Sequence, residues 1–146
     1  DSGFHALMMS DFNMRAAEES LLAMLEQIEP NGLLPHMIRA NDKSNITQPC
    51  VLSWISYELY QKSHHLSFLK KVVDKLDAYL TYDMKYRNLH HNGLLAWRTD
   101  PKNIKCKCDE SGLDNCPRFD FDEEMDCIDF SCYFAKNRLP LPRLMV

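Results

Sequence analysis

Apolar residues recur along this chain at steps of three and four, the repeat of a helix that buries one face. Met14, Ala17, Leu21, Met24, Leu25 and Ile28 form a first stripe, with Asp11 placed to cap its start. Val51, Trp54, Ile55 and Leu59 form a second, beginning soon after Pro49, a residue tolerated in a first helical turn. Leu66, Leu69, Val72, Val73, Leu76, Tyr79 and Leu80 form a third and longer one. Lys62-Ser63-His64 reads as a tight turn between the second and third, with Ser63 or Ser67 as the cap. A shorter helix is expected from about Asp122 to Lys136, and the amphipathic run Phe4 to Met9 reads as a helix already under way. Period-two alternation is nearly absent, so the predicted class is all-α, with little or no sheet.

A repeat sits on top of this pattern. Asn31-Gly32-Leu33-Leu34-Pro35 recurs as Asn92-Gly93-Leu94-Leu95-Ala96, an offset too long for tetratricopeptide or ankyrin units. Both copies close a helical segment and open a polar loop, His36 to Gln48 and Trp97 to Phe121. If the unit is a helical hairpin, the two loops emerge at one end and face each other. Loops longer than ~12–15 residues are usually functional or disordered, and the Trp, Phe and Arg of the second favour order.

Composition narrows the possibilities. The 146 residues suffice for one ordinary domain, and 45% hydrophobic content supports a packed core. Gly is scarce, with four residues, which suits helix. The formal net charge is −4 and Lys and Arg are scattered. Nucleic acid and anionic membrane are therefore not expected partners, since either would call for a basic stripe. No apolar run approaches the ~18 residues of a membrane span. Asp1 in place of Met, inside a helical pattern, reads as an excerpt from which a leader could have been removed. The six cysteines are read as reduced thiols in a cytoplasmic protein, because a chain with this core has no need of disulfides. The sequon Asn45-Ile46-Thr47 carries no weight without a secretory route.

The segment Asp109 to Asp120 holds the most chemistry. Glu110 and Asp114 flank Gly112, followed by Asn115, Pro117 and Arg118. Glycosidic cleavage needs an undissociated acid at the leaving oxygen and a second carboxylate for water or the sugar carbon. Asp114, beside Leu113 and near Glu110 and Phe119, could keep its proton through burial and a neighbouring negative charge. Arg118 would oppose that on contact, so it is placed against Glu110 or Asp120. By itself the segment is also ordinary turn vocabulary.

Glu110-Ser111-Gly112-Leu113-Asp114-Asn115-Cys116-Pro117-Arg118-Phe119 resembles the Glu-Ser-Gly-Met/Leu-Asp-Asn-Ser-Pro-Arg signature of (α/α)6-barrel glycosidases, glycoside hydrolase family 63 and its mannosylglycerate-hydrolase-like relatives. Asp1-Ser2-Gly3-Phe4-His5, Asn31-Gly32-Leu33-Leu34-Pro35-His36 and Thr47-Gln48-Pro49-Cys50-Val51-Leu52-Ser53-Trp54 resemble three further motifs of that family in the same order. The resemblance implies antiparallel helical hairpins forming part of an (α/α)6 toroid, one incomplete catalytic domain over residues 1–146 with an irregular tail over 137–146. It implies an inverting hydrolase of an α-linked glucosyl or mannosyl bond, with carbohydrate as partner and no cofactor. Asp114 matches the general acid; Asp1, His36, Gln48 and Gly112 match positions around the departing sugar. Glu110, Asn115 and Arg118 are grouped with these as substrate-binding candidates. Trp97 could stack on a sugar face, with core packing an equal alternative. Cys116 stands where the family usually has Ser, and Cys50 where it has Pro. The family's second carboxylate lies downstream of Val146, so these residues alone are expected to have no turnover, and uncovered hairpin faces to self-associate.

Two rival readings remain open. Cys106, Cys108, Cys116 and Cys127 or Cys132 could hold zinc, although the spacing is not a paired Cys-x-x-Cys pattern. A helical scaffold that binds other proteins without catalysis is the second. The acidic run Asp120 to Asp126 lacks the glycine and ligand spacing of a calcium loop; a solvated helix N-terminus explains it better.

Overall fold

A computed structural model describes residues 2–98, 108–113, 116–120 and 124–139. Five α-helices dominate them: α1 (Ser2–Met9), α2 (Met14–Leu25), α3 (Leu52–Ser63), α4 (Leu66–Arg87) and α5 (Ile128–Arg138). Two small antiparallel ladders, β1 (Ile38–Arg39) with β2 (Asp42–Lys43) and β3 (Ala96–Arg98) with β4 (Glu124–Asp126), and two single-turn 3-10 helices, Asp109–Ser111 and Pro117–Phe119, complete the described elements. The all-α class is therefore observed, and its arrangement is that of part of a helical barrel. No described helix is long and apolar enough to cross a membrane.

The helices form where the apolar stripes lie, with differences at their ends. Asn13 rather than Asp11 caps α2, its Oδ1 accepting from the Ala16 amide at 3.1 Å. Asp11 instead pairs with Lys62 at 2.7 Å. α3 and α4 meet at a two-residue turn: His64 takes a left-handed conformation, and the Ser63 hydroxyl accepts from the His65 amide at 3.2 Å. α3 is central and packs against α1, α2, α4 and α5. Its Ile55 and Leu59 join Leu21, Leu25, Val72, Leu76 and Leu80 in a fully buried core.

The final helix differs most from expectation. It starts at Ile128, not near Asp122, and runs to Arg138, into what was expected to be irregular tail. Glu124–Asp126 forms β4 instead, with Met125 opposite Trp97. Like charges four residues apart disfavour helix, and the edge of β3 offers backbone partners. Residues 140–146 of the expected tail lie outside the described residues.

The repeated motif forms the same turn twice. Asn31 Oδ1 accepts from the Leu33 amide at 3.0 Å, and Asn92 Oδ1 from the Leu94 amide at 2.9 Å. Gly32 and Gly93 follow with φ of +95° and +86°. An Asn side chain mimicking a backbone turn, then a glycine free to take positive φ, is what each copy needs.

Candidate functional site

The loops that follow these turns come together. Glu110 Oε1 accepts from the Thr47 amide at 3.2 Å and its Oε2 from the Arg98 amide at 2.8 Å, joining the first loop, β3 and the signature segment. Beside this seam lies a cavity of about 490 Å³. Ser2, Gly3 and Phe4 of α1 line one part, and His36, Gln48 and Pro49 another. Ser111, Gly112 and Leu113 face it from the signature segment, and Tyr133 from α5. Residues spread across the whole chain thus share one opening.

Of the candidates read from sequence, His36, Gln48 and Gly112 line this cavity. His36 is exposed, and its amide donates to the Ile46 carbonyl at 2.9 Å. Gln48 is half-buried; its Nε2 donates to the Pro35 carbonyl at 3.4 Å, and its own carbonyl accepts from the Tyr79 hydroxyl at 3.0 Å. Gly112 has φ of +67° with open space where a Cβ would stand, so a ligand could approach its backbone closely. Asp1, Asp114 and Asn115 lie outside the described residues; their chain neighbours Ser2 and Leu113 both line the cavity.

Three candidates are placed elsewhere. Trp97 is fully buried and stacks on Phe130, with centroids 3.7 Å apart and planes within 8°, so core packing takes the ring face that a sugar would need. Glu110 is also fully buried; it forms an ion pair with Arg87 and bonds two backbone amides, which leaves it inside the wall rather than in the opening. Arg118 bonds Asp129 at 2.8 Å and lies over the Phe119 ring, not against Glu110. Burial pushes the Asp129 carboxyl up, but hydrogen bonds from Arg118, Trp97 and the Phe130 amide carry it below the usual carboxylate range.

The sequence reading missed the polar groups behind the wall. Asp83 is fully buried and accepts from the Thr47 hydroxyl at 3.2 Å; burial raises its carboxyl from 3.8 to about 8, against the pull of Thr47 and Arg87. Burial likewise pushes the Tyr79 hydroxyl and the Cys50 thiol well above their ordinary ranges. Tyr79, Asp83 and Arg87 stand four residues apart, and that spacing was the available signal. Among the described residues no three His, Cys, Asp or Glu groups converge to hold a metal ion, and Cys50, Cys108, Cys116, Cys127 and Cys132 are free thiols. Cys106 lies outside the described residues.

Part of a helical barrel with a cavity at its loop end, walled by an Asn-Gly-Leu-Leu-Pro-His turn and a Glu-Ser-Gly-Leu segment, is the kind of arrangement found in barrel glycosidases. Residues 1–137 match the Mannosylglycerate hydrolase MGH1-like glycoside hydrolase domain, and the chain belongs to that family. Among solved structures, a GH63 mannosylglycerate hydrolase from Thermus thermophilus in complex with Tris is similar, with 26% identity and a TM-score of 0.68 over 82% of this chain and 32% of that one. The same enzyme in complex with glucose is 25% identical with a TM-score of 0.67, over 99% of this chain and 40% of that one. An uncharacterized conserved protein from the same organism is 26% identical, with a TM-score of 0.66 over 82% of this chain and 32% of that one. The chain thus spans about a third of the length of these structures. A comparison with curated proteins finds no match.

Proposed function

We propose that this chain carries the departing-sugar side of a glycosidase site together with its general acid, Asp114. The observation that supports this most is the shared cavity: segments bearing all four glycosidase-like motifs line it, although they are far apart in sequence. Gln48 offers both a donor and an acceptor to sugar hydroxyls, Gly112 allows close backbone approach, and Phe4 and Tyr133 supply apolar rings for a pyranose face. Asp1 accepts hydrogen bonds from a hydroxyl pair.

The bond cleaved is an α-linked mannosyl or glucosyl bond, and a glycerate mannoside is the first substrate to offer, because the Thermus relatives are described as mannosylglycerate hydrolases. The mechanism is inverting. Asp114 protonates the bridging oxygen while a second carboxylate, outside these residues and ~6.5–9.5 Å away across a water, activates the nucleophile. The 146 residues alone are expected to bind glucose without hydrolysing a mannoside. In a longer chain containing them, Asp114→Asn should lower kcat by about 10²–10⁴ through loss of the proton donor, with Tm nearly unchanged. The test is isotope-labelled NMR titration with glucose alongside a hydrolysis assay. Shifts at Ser2, Gln48 and Gly112 support the site. Their absence at saturating sugar sinks it, and turnover by the 146 residues that Asp114→Asn abolishes sinks the assignment of the second carboxylate.

A further inference from the structure

Behind the cavity wall, α4 presents a row of polar side chains where a helix in a core would carry apolar ones. Tyr79, Asp83 and Arg87 fall on one stripe at four-residue spacing, and all are buried. Each reaches a different point of the seam. Tyr79 donates to the Gln48 carbonyl at 3.0 Å, Asp83 accepts from the Thr47 hydroxyl at 3.2 Å, and Arg87 pairs with Glu110. Glu110 completes the arrangement by accepting from the amides of Thr47 and Arg98. Three donors therefore converge on two carboxylate oxygens. Only an ionised carboxylate accepts from all three; an amide in its place would turn an NH2 group toward a donor. A buried ion pair gives little net stability compared with apolar side chains of the same volume. What this one does define is geometry: the Thr47–Gln48 segment and the Glu110–Leu113 segment are held at a fixed separation, and both carry cavity-lining residues.

We propose that the Tyr79–Asp83–Arg87 row positions the sugar subsite from behind, Tyr79 and Asp83 acting on Gln48 and Thr47 directly and Arg87 through Glu110, setting Gln48 against the Gly112 segment. Glu110 is a positioning residue that touches no ligand. This rests on the reading of the cavity as a sugar subsite.

The experiment combines amide hydrogen exchange and glucose titration on the 146-residue chain, its Glu110→Gln, Arg87→Lys and Gln48→Ala variants. Glu110→Gln should speed exchange at Thr47 or Arg98, whichever amide the new NH2 group faces, by about tenfold or more, the loss expected from one charge-assisted hydrogen bond, and weaken glucose by a similar factor. Amides inside α2 and α3 should keep their protection. Arg87→Lys keeps the charge and should show only part of both effects. Gln48→Ala should weaken glucose without changing exchange at Arg98. Unchanged exchange at Thr47 and Arg98 in Glu110→Gln overturns the proposal. So does uniform acceleration through all helices, or loosened loops with unaltered glucose affinity. A wild-type chain that takes up no glucose overturns the sugar reading instead, and the exchange pattern still decides whether the row holds the loops together.

Discussion

Gly32 and Gly93 occupy the same place in a repeated turn, yet they stand in different surroundings. A Cβ on Gly32 would lie 2.5 Å from the Ala78 carbonyl oxygen and 3.0 Å from the Tyr82 Cβ, whereas one on Gly93 would meet nothing within 4 Å. Both have positive φ, so each Ala substitution carries a left-handed penalty of about 1–2 kcal/mol. Gly32→Ala adds overpacking against a helix backbone that cannot yield, of order 1–3 kcal/mol more. Chemical denaturation should therefore rank Gly32→Ala well below Gly93→Ala, and equal losses would refute the difference in packing. Asp83 gives a second residue-scale expectation. With a folded pKa of about 8 against an ordinary 3.8, the native state keeps a proton that the unfolded chain releases between those values. The stability this group allows is thus full below 3.8 and falls as pH rises toward 8. Asp83→Asn keeps an acceptor for Thr47 and cannot ionise. Its melting temperature should exceed wild type at pH 8 and converge with it near pH 4; a constant offset across that range would contradict a neutral Asp83.

At the scale of elements, legibility followed periodicity. Apolar stripes located α2, α3 and α4 because their core positions repeat with the helix. The Asn-Gly repeat also carried through, since an Asx turn and a positive-φ glycine are local chemistry that needs no tertiary information. The start of α5 did not, because pairing between Trp97 and Met125 depends on a strand far away in sequence. The same limit left the use of Trp97 undecided between ligand and core until Phe130 is brought beneath it. Of the residues that line or back the cavity, His36, Gln48 and Gly112 were readable from motifs, while Asp83 and Arg87 offered only their four-residue spacing, because their partners lie in two distant loops. Trp97→Ala should accordingly behave as a core truncation, losing about 3–5 kcal/mol in denaturant unfolding. Gln48→Ala should cost little stability and act on glucose binding. An exchange of those two phenotypes would return Trp97 to the ligand.

For the molecule as a whole, the described residues leave large apolar groups in solvent. Met8, Met9 and Phe12 sit together at the α1–α2 turn, with Phe12 93% exposed, and Ile128 and Leu139 are more than 70% exposed. Single exposed hydrophobes are ordinary, but neighbouring ones at such exposure favour association. The 146 residues should show concentration-dependent self-association by light scattering, reduced in Phe12→Ser. A monomer at all concentrations would count against it.

The donors that meet Glu110 have a consequence for what substitution can repair. Two of the three are main-chain amides, present whatever residue occupies 47 or 98. A lost side-chain partner can be replaced by changing its mate; a lost acceptor for backbone cannot. Pairwise libraries over positions 87 and 110 should therefore recover a second cation, lysine, at 87 but only glutamate at 110, and no combination should make the second position permissive.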